Sequence, residues 1–81
     1  MTWTVRWSDV CEADVRRMPW HIAARICASV LEFAEGGVGL VERTTPGDSS
    51  LLRVRVRGAA ALVRLDAERR TLSVWRIYPT R

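Results

Sequence analysis

Over residues 52–57, Arg53, Arg55 and Arg57 alternate with Leu52, Val54 and Val56. A β-strand sends successive side chains to opposite faces, so this segment, as a strand, has one apolar face and one cationic face. A sheet built on it is covered by packed elements on one side and left open, with its arginines, on the other.

The other segments supply that cover. Residues 2–8 alternate Trp3, Val5 and Trp7 with Thr2, Thr4, Arg6 and Ser8, the pattern of a half-buried strand. Ser8 or Asp9 then caps a helix, with Asp9 and Glu12 spaced as in a capping box, and Cys11, Val15 and Met18 recur at helical intervals. Pro19 ends this helix and opens a second one, where Ile22, Ala23, Ile26, Cys27, Val30, Phe33 and Ala34 form a continuous apolar stripe that stops at Gly36 and Gly37. Val38 to Ser50 is rich in turn residues and reads mostly as loop, with a short extended piece at Leu40 to Arg43. Strands follow at about 51–57, 60–66 and 71–78, with reversals at Gly58 and at Asp66 to Arg70. The expected fold is α+β: an N-terminal strand, a two-helix hairpin and a three-stranded antiparallel meander, the helices packed on one face of a mainly antiparallel sheet.

Eighty-one residues make one small domain, 1–81, and no stretch approaches the length of a membrane span. The first residues have neither a basic nor an apolar signal region, so a cytoplasmic location is expected, and Cys11 and Cys27 are expected to be buried free thiols. His21 has no Cys, Asp or Glu at ligand spacing, so neither a metal nor another cofactor is expected. Trp3, Trp7, Trp20 and Trp75 serve either as core or as stacking platforms for bases; for at least two of them core is the expectation.

Charge points to an anionic partner. The chain has 13 Arg and no Lys, and a net charge of +4. Residues 1–42 hold 4 Arg against 6 acids, net −2, whereas residues 43–81 hold 9 Arg against 3 acids, net +6. A GC-rich coding bias explains the missing Lys but not this asymmetry. Guanidiniums two residues apart on a strand stand about 7 Å apart, close to the spacing of phosphates along a nucleic-acid strand. The plain alternative is a solvated face that blunts edge pairing and keeps a small protein in solution.

Four segments in this order carry a resemblance to a known family: the strand Trp3 to Trp7, the helices broken at Met18-Pro19, the strand Leu52-Arg53-Val54-Arg55-Val56, and the closing Leu72-Ser73-Val74-Trp75-Arg76-Ile77. The chain resembles the RelE/ParE superfamily of bacterial type II toxins over nearly its whole length. The resemblance implies a compact fold like that of the microbial ribonucleases and a cognate antitoxin as partner. For the RelE branch it implies metal-independent cleavage of mRNA in the ribosomal A site, by attack of the 2′-hydroxyl on the adjacent phosphate. Arg53 and Arg55 align with two lysines of the family, and Arg81 falls near its late arginine, so these three are the implied catalytic cations; Arg57, Arg64 and Arg76 are the implied nucleic-acid contacts. Two family features are missing. The family's arginine early in the next strand falls at or beside Ala61, with Arg64 the nearest substitute, and its tyrosine beyond the last strand has no counterpart, because Tyr78 precedes Arg81. An arginine does not serve as the general base, since its pKa above about 12 keeps it protonated. Three functions stay open: a RelE-like ribosome-dependent ribonuclease, a ParE-like inhibitor of DNA gyrase without nuclease activity, and a binding module that keeps the fold alone.

Overall fold

The computed structural model describes residues 2–45 and 47–80. The elements run β1 (Thr4–Trp7), α1 (Asp9–Arg16), α2 (Trp20–Gly36), β2 (Leu40–Thr45), β3 (Asp48–Val56), β4 (Ala59–Asp66) and β5 (Thr71–Pro79). The strands form one sheet in the order β1-β5-β4-β3-β2. β2 to β5 are antiparallel neighbours, and β1 joins β5 in parallel, Thr4 opposite Thr71 and Trp7 opposite Val74.

The two periodicities meet in one core. Ile26, Val30 and Ala34 of α2 and Cys11 of α1 pack on Val54, Ala59, Ala61, Val63, Leu72, Val74 and Ile77, while Trp3 and Trp7 border this cluster. Val54, Ala61 and Ile77 lie in register across β3, β4 and β5, which fixes the apolar face of the sheet. Among the described residues no helix is long and apolar enough to cross a membrane.

β1 covers only the first half of β5, and α1 takes over along the second. The Ser8 hydroxyl donates to the Trp75 carbonyl at 2.9 Å and accepts the Cys11 N–H at 3.0 Å, so one side chain caps α1 and ties it to β5. Farther along, Asp14 is 8% exposed and takes the buried Ile77 N–H at 3.0 Å. The same carboxylate accepts from Arg76 Nε at 2.9 Å and from Arg76 Nη2 at 3.1 Å. The hydrogen-bonded Arg76 guanidinium holds the Asp14 carboxyl below the usual carboxylate range.

The structure differs from the sequence reading between the second helix and residue 51. The extended piece expected at Leu40 to Arg43 is the start of β2, and the rest of the segment read as loop completes a hairpin: β2 and the start of β3 pair, Thr45 opposite Asp48, so the meander has four strands rather than three. Turn residues such as Gly47, at φ 84°, sit between the two strands and gave the whole stretch a loop-like composition. Pro19 is the N-cap of α2 rather than its first residue; its carbonyl accepts from Ile22 and Ala23. Cys11 is buried and Cys27 half-buried; both are free thiols, and burial pushes both pKa values up.

Gly58 lies in the reversal between β3 and β4 at φ 97°, where L side chains are strained, and Ile22 Cδ1 stands 3.4 Å from where a Cβ would be. Gly58→Ala is therefore expected to cost about 1–2 kcal/mol, read as a fall in thermal midpoint.

Candidate functional site

The face of the sheet turned away from α2 is built in cross-strand rows. One row runs Glu42 (β2), Arg53 (β3), Leu62 (β4), Arg76 (β5); a second runs Arg55, Ala60, Tyr78; a third runs Leu51, Arg64, Ser73. The alternation of β3 thus places Arg53 and Arg55 on the open face while Val54 is fully buried beneath them. β3 ends at Val56, so Arg57 lies in the turn, exposed, and its carbonyl accepts from Arg25 of α2 at 2.8 Å.

Register also settles Arg64. It pairs with Leu51 and shares a face with Arg53, whereas Ala61 pairs with Val54 and is fully buried in the core. A cation at Ala61 would be buried in apolar surroundings. On the open face its neighbour Ala60 is also fully buried, in register with Arg55 and Tyr78, so this part of β4 carries no charge.

Glu42 organises the arginines, and the sequence reading did not single it out. Its carboxylate lies 3.0 Å from Arg55 Nη1 and 3.7 Å from Arg53 Nη1, all three side chains being about two-fifths exposed, at 40%, 40% and 37% for Glu42, Arg55 and Arg53. Ion pairs this exposed add only about 0–1 kcal/mol to stability, so their consequence is orientation. Arg55 makes a true hydrogen bond to Glu42, whereas Arg53 is too far for one, and its Nε is buried with no partner. Arg53 therefore has hydrogen-bonding capacity that its present position leaves unused. Glu42 and Asp66 stand against Arg53, Arg55 and Arg64 on this face, with Arg76 paired to Asp14, which leaves the face electropositive.

β5 has an irregularity at this face. Leu62 opposes Arg76 and Val63 opposes Val74, so Trp75 is an extra residue on the bulged strand. Trp75 is 49% exposed, and the Arg64 guanidinium carbon lies 4.8 Å from its ring centroid. Between them and β3 is a cavity of about 310 Å³ whose lining includes Thr44, Leu51, Arg53, Leu62, Arg64 and Trp75. Arg76, in contrast, is committed to Asp14, and Arg81 lies outside the described residues. Among the described residues no group of three or more His, Cys, Asp or Glu is arranged to hold a metal ion.

A five-stranded sheet in this order, with two helices between its first and second strands in sequence, is a fold this chain shares with two solved structures. The chain is similar to a chain of the toxin–antitoxin complex RelBE2 from Mycobacterium tuberculosis, with a TM-score of 0.74 and 22% identity over 99% of this chain and 93% of that one. It is similar also to the isolated RelE toxin of E. coli, with a TM-score of 0.74 and 8% identity over 99% of this chain and 86% of that one. No family model and no curated protein sequence matches the chain.

Proposed function

We propose that the protein is a RelE-type toxin whose open sheet face grips the phosphate backbone of mRNA on the ribosome and cuts it, and that a cognate antitoxin holds it in check. The observation that carries this reading is the pair Arg53 and Arg55 on one strand face, Arg53 with a guanidinium that has donors to spare. A phosphodiester oxygen would take those donors in charge-assisted bonds. The likeness in fold to RelE supports the same reading, and the antitoxin partner follows from the toxin–antitoxin complex that shares this fold.

In the proposed reaction the substrate 2′-oxygen forms a bond to the adjacent phosphorus and the bond to the 5′-oxygen breaks, leaving a 2′,3′-cyclic phosphate and a 5′-hydroxyl. The 2′ proton passes to a base, and the departing 5′-oxygen takes a proton from water. Arg53 and Arg55 stabilise the charge that builds on the pentavalent phosphorus, and Glu42, the carboxylate in contact with both, accepts the 2′ proton. Glu42→Gln is expected to slow cleavage about 100-fold or more while RNA binding holds or tightens, because a negative charge leaves the site and the proton acceptor goes with it. Equal losses in binding and cleavage would take Glu42 out of the chemistry.

The direct test is a defined mRNA incubated with the purified protein, with and without bacterial ribosomes holding that message, and read by primer extension. Cuts are expected only with ribosomes. A folded protein that makes none would overturn the nuclease reading. One feature favours a second, ParE-like reading with DNA gyrase as target: the start of β4 offers alanines where a further cation would steady the phosphorus. Under that reading induced cells show a DNA-damage response and no mRNA cuts.

A further inference from the structure

The cavity beside Arg53 has no role in the reaction just described, and its lining is unlike a solvated sheet surface. Leu51, Leu52, Leu62 and Val63 give it an apolar lining together with Trp75, and the Arg64 guanidinium lies against the indole, 4.8 Å from its centre. A bulge is what brings Trp75 here, as the residue of β5 that has no partner on β4. Its volume of about 310 Å³ lies at the low end of small-ligand pockets, roughly 300–1,000 Å³, enough for one flat ring system.

We infer that this cavity is a nucleobase subsite: a base of single-stranded RNA stacks on Trp75 and Arg64 while its own phosphate rests on Arg53. The charge around the cavity selects this occupant. Arg53 and Arg64 both line it, and the one carboxylate near Arg53, Glu42, is on the far side of β3 from Arg64, in β2. An apolar side chain from a protein partner would cover two guanidiniums without supplying a counter-charge, which is costly. A nucleotide supplies a π-face for the indole and guanidinium, and a phosphate for Arg53, from one molecule. Arg64 acts here as a stacking group, so this strand contributes to base contact even though Ala60 and Ala61 contribute no cation to the phosphate.

The inference rests on the reading of Arg53 as a phosphate contact, and the test separates the two. Fluorescence anisotropy compares a short labelled single-stranded RNA with an abasic oligomer of the same length and backbone, for the unaltered protein and three variants. The unaltered protein is expected to prefer the base-bearing oligomer about 10-fold or more; Trp75→Ala removes that preference and leaves abasic binding unchanged, and Trp75→Phe restores part of it. Arg53→Ala/Arg55→Ala weakens both oligomers by the same factor. Thermal melting checks each variant, and Trp75, half exposed and outside the core cluster, is a site where truncation leaves the fold intact. Equal binding of the two oligomers by the unaltered protein overturns the subsite, whatever the arginine variant does. So does a Trp75→Ala protein that keeps its preference for bases, or one that loses only antitoxin binding, which would give the cavity to a protein partner. If the arginine variant binds both oligomers as well as before, the phosphate reading falls by itself.

Discussion

On the proposed RelE-type reading, Arg53→Ala/Arg55→Ala is expected to abolish ribosome-dependent cleavage and, with it, growth inhibition on induction. Each guanidinium that stabilises charge formed only in the transition state contributes on the order of 3 kcal/mol, or about 100- to 1,000-fold in rate. Two of them acting on one phosphorus exceed what a sensitive primer-extension assay detects. The fold should survive, because both side chains stand on the open face and their ion pairs with Glu42 are about two-fifths exposed. A melting curve within a few degrees of the unaltered protein would establish that. Arg53→Lys/Arg55→Lys sharpens the measurement: it keeps both charges and loses the planar fork, so activity between that of the parent and that of the alanine pair is expected. Full toxicity in the alanine pair would remove the phosphate clamp from the mechanism.

Among these substitutions of polar residues, Asp14→Ala is expected to produce the largest loss of stability. The carboxylate serves two parts of β5 at once, the buried Ile77 N–H and the Arg76 guanidinium. Its removal leaves the N–H without a partner, at about 1–3 kcal/mol, and ends the charge-assisted bonds; because Arg76 is 55% exposed, the second part is discounted, for about 2–4 kcal/mol in all. In a domain of this size that lowers the thermal midpoint by roughly 10–25 °C. Asp14→Asn should lose less, since an amide oxygen still accepts the Ile77 N–H. Acidity offers an independent measurement. The Arg76 hydrogen bond lowers the Asp14 pKa from its ordinary value of 3.8, so the folded state holds this proton less tightly than the unfolded chain does. The stabilisation is complete above that ordinary value and fades as pH falls through the lower folded one. Melts taken from about pH 7 down to about pH 3 should show this decline, and Asp14→Asn should flatten it. An unaltered acid profile in Asp14→Asn would deny the pair its role.

Regular patterning was enough to expose most of the fold. The alternation around Val54, the stripe from Ile22 to Ala34 and the stops at Pro19 and Gly36-Gly37 each correspond to an element in the structure. The extended piece at Leu40 to Arg43 marked the start of β2, but its continuation to Thr45 and its pairing with β3 were hidden, because the turn and the strand ends share the composition of a loop. The site was legible only where it lies within one strand: Arg53 and Arg55 show it, but Glu42 reaches them through register. A regular hairpin continued from the Thr45 to Asp48 pairing would put Glu42 opposite Leu51; the irregularity between Arg43 and Thr45 moves it opposite Arg53. The bond from Asp14 to Arg76 spans 62 positions and the bulge that turns Trp75 outward is set by β4, so neither has a local signal.

β5 is last of the strands in sequence, yet it lies second in the sheet, between β1 and β4. During synthesis β1 emerges first and has no strand to join until Thr71 and its successors follow, while β2, β3 and β4 pair with near neighbours as they appear. Such a distant pairing closes slowly and late. Trp75 and the bond between Arg76 and Asp14 arrive with the same strand. A ribosome making this protein therefore carries a growing chain whose sheet, and with it the cavity beside Arg53, stays open on the Trp75 side through nearly the whole of elongation.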